Sequence, residues 1–251
     1  MSNDKVAPCH VYLVCGGLYH DFDYVRLELL RHLSKYPHIR CVVASDYSDV
    51  DQIMASDGLV TYTTDVVPST SAVKKLKQFL EDGKKWFALH GTNSIIDIDD
   101  KGYASSPRTA PEFMTLLGSQ FVAHPEKGPF QVHVTQPDHP LVEGIQSFEV
   151  EDELYLVETH GDMEVLLHSH FNGKAMKGFK EREFFSDEKR PIMYLKSEGR
   201  GQVLYLNLGH CRGHHDMRPL LNWYPEVERC SWDSPVFREL IDRGVGWLQE
   251  R

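Results

Sequence analysis

The chain has 251 residues, of which 41% are hydrophobic and 25% are charged. This composition is ordinary for a globular protein and excludes collagen-like, coiled-coil and extensively disordered chains. Asp and Glu outnumber Lys and Arg by 37 to 27, which gives a formal net charge of −10. A surface of that sign repels nucleic acid and anionic lipid, so we expect neither as a partner.

The distribution of cysteines and the hydropathy of the sequence predict the cellular compartment of the protein. The five cysteines are scattered, with no CxxC spacing, which is typical of a reducing environment. Residues 1–8 lack the apolar core of a signal peptide, and no run of about 18 apolar residues occurs. We therefore expect a cytoplasmic protein with no membrane anchor. The sequence neither requires nor excludes a homo-oligomer.

The first part of the chain alternates apolar runs with amphipathic segments. The apolar runs predict strands at 11–15, 39–43, 57–62 and 86–89, and apolar residues at helical spacing predict helices at 22–36 and 71–81. Ser69 or Ser71 is the expected N-cap of the second helix. Because the strands are apolar without alternation, the pattern indicates a parallel sheet covered by helices on both faces.

Beyond residue 91 the pattern is less regular. Residues 93–111 form a long polar loop, and a short helix is predicted at 111–117. Further elements are predicted as strands at 130–135, 154–157, 165–168, 192–195 and 203–206 and as a closing helix at 235–249. Gly199-Arg200-Gly201 indicates a hairpin, which adds an antiparallel portion to the sheet. We expect one domain over residues 1–251.

Histidines are concentrated where chemistry is expected. The chain has 14 histidines. His20 follows the first predicted strand, His90 and His210 follow two later strands, and His124 follows the predicted short helix. In open α/β sheets, ligands bind outside the carboxyl ends of the strands. Since imidazole is a common metal ligand, these four residues are the candidate ligands for a divalent ion, with zinc as the first choice.

The segment Ala88-Leu89-His90-Gly91 resembles a nucleophile elbow in outline, because a strand runs directly into a single apex residue and a glycine. Imidazole at the apex suits a base, an electrophile or a metal ligand better than a nucleophile. Gly209 similarly delivers His210 into a loop. The alternative for each is a core histidine that is hydrogen-bonded beneath the sheet edge.

Carboxylates add a further candidate function. Glu153 stands before a predicted strand and would act as a base or a metal ligand, so His90, His210 and Glu153 are the candidate catalytic residues. A solvated acidic turn is the alternative. Polar residues in these segments are the candidate substrate contacts: Asp21, Thr92, Asn93, Asp152, Tyr155 and Arg212. Gly16-Gly17 lacks the rest of a dinucleotide fingerprint, so we expect no nucleotide cofactor.

Taken together, these motifs resemble the ThuA-like (trehalose utilisation) family of the class I glutamine amidotransferase-like superfamily. The resemblance covers nearly the whole chain and rests on the order of short motifs: Gly16-Gly17 with His20-Asp21, Ala88 to Gly91, His124-Pro125, Asp138 to Leu141, Asp152 to Tyr155, and Gly199 to Val203 leading to Leu208-Gly209-His210.

The resemblance implies a flavodoxin-like or Rossmann-like three-layer sandwich and a link to carbohydrate metabolism. It also implies that His90 occupies the position of the nucleophilic cysteine of amidotransferases, with His210 near the position of their catalytic histidine. Without that cysteine, thioester chemistry on glutamine is not available. The family commonly has Gly-Gly after the elbow histidine, whereas this chain has Gly91-Thr92. Its substrate is therefore expected to differ from the sugars usually linked to the family.

Three functions are compatible with these residues. The leading hypothesis is an enzyme, a hydrolase or lyase, that uses a histidine-rich metal site on a small sugar-derived or other polar metabolite. The second is a non-catalytic protein that binds a carbohydrate or metabolite on the same scaffold. The third is a metal-free acid/base enzyme that uses His90 and His210.

Overall fold

The computed structural model describes residues 7–250. Its helices are α1 (Phe22–Ser34), α2 (Val50–Ala55), α3 (Thr70–Glu81), α4 (Pro111–Leu117) and α5 (Pro235–Trp247). Its strands in the first part of the chain are β1 (Cys9–Gly17), β2 (Ile39–Ala44), β3 (Gly58–Thr64), β4 (Lys85–Leu89), β5 (Asp97–Ile98), β6 (Ala104–Ser105) and β7 (Ser119–Ala123). The later strands are β8 (Gly128–Val134), β9 (Phe148–Asp152), β10 (Leu156–Thr159), β11 (Glu164–His170), β12 (Gly173–Lys174), β13 (Glu183–Phe184), β14 (Lys189–Glu198) and β15 (Gly201–Leu206).

A nine-stranded sheet in the order β2-β1-β3-β4-β15-β14-β11-β8-β9 forms the centre of the molecule. Its first five strands are parallel, from β2 to β15. The β14–β15 hairpin then reverses direction, and β11, β8 and β9 continue antiparallel. The predicted fold class is therefore confirmed, including the antiparallel portion. The parallel strands bring the carboxyl ends of β1, β3, β4 and β15 to one edge.

Helices cover both faces of the parallel half, and successive strand residues contribute to two separate cores. On β1, Leu13 packs in the core that contains α1 and α5, whereas Val14 packs in the core that contains α2, α3 and α4. Helix α3 begins after Ser69, whose side chain accepts a hydrogen bond from the Ala72 amide at 3.2 Å. Within residues 7–250, no helix is both long and apolar enough to cross a bilayer.

The structure differs from the sequence-based elements around two site segments. Strand β7 separates the short helix α4 from His124, so His124 follows a strand. Strand β9 ends at Asp152 and β10 begins only at Leu156. Residues 153–155 therefore lie in the connection between two strands, whereas the sequence predicted a strand from residue 154. Leu154 and Tyr155 are buried in the core without pairing in a ladder. Sequence analysis also missed the six-residue helix α2.

Candidate functional site

His90 lies at the apex of a strained turn. It directly follows β4 and has a φ of 41°, in the left-handed region that side chains rarely adopt. Gly91 is required next to it, because a Cβ there would lie 2.1 Å from Thr64 Oγ1. The ring is fully buried, and its Nδ1 lies 3.0 Å from the carbonyl oxygen of Asn207. This turn holds the Nε2 atom of His90 over the carboxyl edge of the sheet.

His20 reaches the same place from the loop after β1. Its Nδ1 lies 3.3 Å from the Leu18 carbonyl oxygen and 3.0 Å from Thr64 Oγ1. A carbonyl oxygen can only accept a hydrogen bond, so Nδ1 carries the proton in His90, and the Leu18 carbonyl favours the same tautomer in His20. The Nε2 atom of each ring is left with a lone pair.

His210 is held by two carboxylates, one bonded to its backbone and the other to its ring. Asp152 accepts hydrogen bonds from the Gly209 amide at 2.9 Å and the His210 amide at 3.1 Å. Glu228 lies 2.8 Å from His210 Nε2, so that nitrogen donates to the carboxylate. The remaining nitrogen, Nδ1, is buried and faces Glu153 Oε2 at 3.1 Å.

The three rings and Glu153 converge on one point. The Nε2 atoms of His20 and His90 are 3.1 Å apart, and Glu153 Oε2 lies 3.1 Å from His210 Nδ1 and 3.9 Å from His90 Nε2. One ligand atom from each of these four residues lies within 4.8 Å of all the others. Ligand atoms about 2.0–2.2 Å from a tetrahedral zinc ion are themselves roughly 3–4 Å apart, so the spacing fits such an ion.

Electrostatics favour the ligating forms of His20, His90 and Glu153, whereas His210, whose pKa Glu153 and Glu228 raise to about 8 against the effect of burial, must lose a proton to bind an ion. Burial lowers the pKa of His90 to about 4 and holds the pKa of His20 well below its usual value, so both rings are neutral near pH 7. Burial alone would raise the pKa of Glu153, but the charges of His124 and His210 outweigh it and hold that pKa well below its usual range. Neutral imidazoles and an ionised carboxylate are the forms that bind metal.

The donor set therefore fits a divalent ion. The lone pairs of His20 and His90 face each other, so these two atoms repel one another without a cation between them, and His210 Nδ1 and Glu153 Oε2 complete the donor set. Each outer ring nitrogen is held by a carbonyl, hydroxyl or carboxylate, as is usual for metal-ligating histidines. Three imidazoles with one carboxylate match zinc better than magnesium or calcium, which prefer oxygen ligands.

A cavity of about 210 Å³ opens beside this cluster. Glu153 lies between the cavity and the histidine cluster. Its Oε2 faces the cluster, while its Oε1 lies 3.6 Å from His124 Nε2 and 3.5 Å from Arg212 Nη2. Glu153, His124 and Arg212 all line the cavity. The sequence predicted that His124 would bind a metal ion together with the other three histidines. In the structure, His124 lies on the pocket side of Glu153, outside the cluster.

Tyr155 and Arg212, two of the predicted substrate contacts, also line the cavity. The Tyr155 ring packs against the His90 ring, with centroids 4.2 Å apart. Burial and the neighbouring Glu153 raise the pKa of Tyr155 well above its usual value, so its hydroxyl stays protonated.

The other four predicted substrate contacts do not line this cavity, and each has another partner. Asp21 caps α1 and forms an ion pair with Arg229 at 3.0 Å. Asp152 is occupied by the amides that hold the His210 loop and by the Ser231 hydroxyl.

Thr92 and Asn93 are fully enclosed in the turn after His90. The Thr92 hydroxyl donates to the Leu89 carbonyl at 2.8 Å, and the Asn93 side-chain amide donates to Ser119 Oγ at 2.7 Å. These side chains stabilise the turn and do not line the cavity, so substrate contact by Thr92 and Asn93 stays a prediction.

Glu228 is a site residue that sequence analysis missed. Besides His210, it contacts Lys127 Nζ at 2.9 Å and Arg212 Nη1 at 3.0 Å. These neighbours outweigh burial and hold the pKa of Glu228 at about 2. The residue lies in the irregular segment between β15 and α5, where no periodic pattern or motif marks it.

Comparison with known proteins places the chain in a family. The family model described as ThuA, trehalose utilisation, matches residues 11–221. Solved structures with a similar fold include a protein described as ThuA-like from Parabacteroides merdae (TM-score 0.68, 13% identity, 96% of this chain and 89% of that chain).

Two further structures extend the comparison. A protein described as ThuA-like from Bacteroides uniformis has a TM-score of 0.62 at 17% identity, over 96% of this chain and 92% of that chain. A protein described as a GMP synthase component from Thermoplasma acidophilum has a TM-score of 0.51 at 13% identity, over 97% of this chain and 95% of that chain. No curated protein matches the chain in sequence. The family match covers most of the chain, which therefore belongs to the ThuA (trehalose utilisation) family.

Proposed function

We propose that this protein is a metal-dependent enzyme, a hydrolase or lyase, that acts on a small sugar-derived metabolite. The observation that carries the proposal is the position of Glu153, whose two oxygens face different partners. Oε2 faces His90 and His210, and Oε1 faces the pocket residues His124 and Arg212. A carboxylate in this position links a metal centre to a substrate cavity.

The proposed metal ligands are His20, His90, His210 and Glu153, and zinc is the ion that they suit. A bound divalent ion would supply Lewis acidity to a substrate oxygen or lower the pKa of a water molecule. The remaining roles belong to residues of the pocket. Arg212 would bind an oxygen-rich or anionic part of the substrate, and the protonated Tyr155 hydroxyl would donate a hydrogen bond to it.

His124 is the proposed proton carrier. Its Nε2 lies 3.6 Å from Glu153 Oε1, while its Nδ1 lies 2.7 Å from the Pro125 carbonyl oxygen. The carbonyl fixes one proton on Nδ1, so Nε2 is the atom that would exchange a proton with a group in the cavity. The sugar-derived substrate class is supported by membership of the trehalose utilisation family.

The test compares turnover of a panel of glycosides and keto-glycosides by zinc-loaded, chelator-treated and reloaded protein. We expect turnover that is lost on chelation, restored by zinc and reduced at least about 100-fold in Glu153→Gln. His133→Gln, on strand β8, is the control and is expected to retain activity. Turnover that survives complete metal removal would contradict the proposal and favour a metal-free acid/base enzyme. Binding without turnover would favour a non-catalytic binding protein.

A further inference from the structure

The cavity beside the metal cluster has an unusual lining for a sugar site. Its polar side chains are concentrated among residues that belong to the cluster or contact it, such as Glu153, His124 and Arg212. The rest of the lining is mostly apolar and comes from several loops and strand ends: Ile96, Ile98, Ala104, Phe121, Met176, Phe179, Met217 and Leu220. We call these eight residues the apolar wall.

Aromatic rings give the wall a fixed shape. The Phe121 ring packs against Tyr155, with centroids 4.4 Å apart, and edge-to-face against Phe179 at 5.7 Å. Phe179 in turn packs edge-to-face against His124 at 4.9 Å. The wall therefore continues directly from the side chains that face Glu153.

A fully hydroxylated sugar would be poorly matched by this wall. A hydroxyl group that loses water without gaining a hydrogen bond weakens binding, and the wall side chains offer no hydrogen-bonding groups beyond the weakly accepting thioethers of Met176 and Met217. The cavity volume of about 210 Å³ is somewhat more than the roughly 150 Å³ that encloses a benzene ring in an engineered cavity. One ring with a few further atoms fits that volume.

We infer that the ligand is amphiphilic: it has an oxygen-rich head that faces Glu153 and Arg212, and an aromatic or other apolar ring that packs on the wall. This inference rests on the proposed function for the position of the head, whereas the ring depends only on the wall.

The experiment uses two ligands that share one metal-binding head. Acetohydroxamate carries a methyl group on that head and benzohydroxamate carries a phenyl ring. Binding to zinc-loaded protein is measured by calorimetry, with the zinc content determined on the same samples. Burial of the ring carbons predicts that benzohydroxamate binds at least about tenfold more tightly than acetohydroxamate.

Leu220 and Leu221 provide a matched pair of variants. Both are exposed, at 43% and 48%, but only Leu220 lines the cavity. Leu220→Ser is expected to reduce the preference for the phenyl ligand severalfold, while Leu221→Ser leaves it unchanged. Equal affinities for the two ligands, or equal effects of the two variants, would overturn the inference while leaving the metal centre intact.

The measured zinc content distinguishes a failure of the proposed function from a failure of this inference. If the protein holds no zinc, the metal centre fails, and the ligand comparison is read from thermal stability instead. The wall still predicts that benzohydroxamate stabilises the protein more than acetohydroxamate does. The absence of that difference, or the absence of binding by either ligand to zinc-loaded protein, would overturn the inference.

Discussion

The Nε2 atoms of His20 and His90 lie 3.1 Å apart although the two residues are 70 positions apart in the chain. Each ring directs its Nδ1 proton to a carbonyl oxygen, of Leu18 and of Asn207 respectively. Two neutral imidazoles arranged in this way present two lone pairs to each other, an arrangement that suits ligation of one shared cation. This contact is the basis for the proposed metal centre and for the metal-binding predictions below.

Replacing His90 should abolish metal binding, whereas replacing His124 should not. His90→Asn removes a ligand nitrogen but keeps a residue that tolerates the positive φ at this position. We expect the affinity for zinc to fall at least about 100-fold. His124→Asn is the matched control, because His124 contacts Glu153 from the pocket side. Calorimetry with zinc measures both, and equal losses in the two variants would refute the assigned ligand set.

Glu228 is predicted to act as a positioning residue for His210. Glu228→Gln removes the negative charge beside His210 Nε2, and we expect the zinc affinity to fall about 10- to 100-fold. The pKa of His210, followed by NMR in metal-free protein, should also fall, which a purely structural role would not predict. Glu226→Gln is the control, since Glu226 is exposed and lies near Lys127 without contacting His210. An unchanged pKa of His210 would argue against this role.

The stability of metal-free protein should be greatest near pH 6.5. Because the pKa of His90 is about 4 in the folded state against about 6.5 in the unfolded state, the unfolded chain binds more protons in that window. The free energy of unfolding should therefore fall by about 3 kcal/mol as the pH drops from 6.5 to 4. Glu153, whose folded-state pKa is also lowered, adds to the loss at acidic pH.

Above pH 6.5, the free energy of unfolding is expected to fall as the pH rises. Burial lowers the pKa of His210, but Glu153 and Glu228 outweigh it and raise the pKa to about 8. His210 therefore stabilises the fold fully below pH 6.5, and this contribution is lost as the pH rises through 8. Urea denaturation across the pH range measures the loss of stability at both acidic and alkaline pH. A curve without a maximum between pH 4 and 8 would show that these rings are not buried as described.

Gly91 is predicted to be essential for the turn that presents His90. A Cβ at this position would lie 2.1 Å from Thr64 Oγ1 and 2.7 Å from the Thr63 carbonyl oxygen. Gly91→Ala should lower the free energy of unfolding by about 1–3 kcal/mol, since the neighbouring backbone must shift. Gly128→Ala is the control, because a Cβ there meets open space. Similar stability of the two variants in urea would contradict this account of the turn.

The sequence predicted the convergence of His20, His90 and His210 because each follows an apolar strand, and the carboxyl ends of parallel strands share one edge. The elbow outline of residues 88–91 likewise anticipated a strained apex, which the φ of His90 now shows. These features depend on short-range patterns that periodicity and glycine placement reveal.

Other features depend on side-chain direction, which periodicity does not encode. Thr92 and Asn93 were predicted to contact substrate because they neighbour His90, but the turn directs both into the core. Glu228 could not be found in the sequence, since it reaches His210 from an irregular segment. The apolar wall was missed for a similar reason, because separate loops contribute its residues.

The most direct measurement is anomalous X-ray diffraction at the zinc edge, from crystals of protein purified without a metal-affinity column and supplied with zinc. The account predicts one strong anomalous peak about 2.0–2.2 Å from Nε2 of His20, Nε2 of His90, Nδ1 of His210 and a carboxylate oxygen of Glu153. Density showing these rings in direct contact with no anomalous peak between them, in crystals containing zinc, would contradict it.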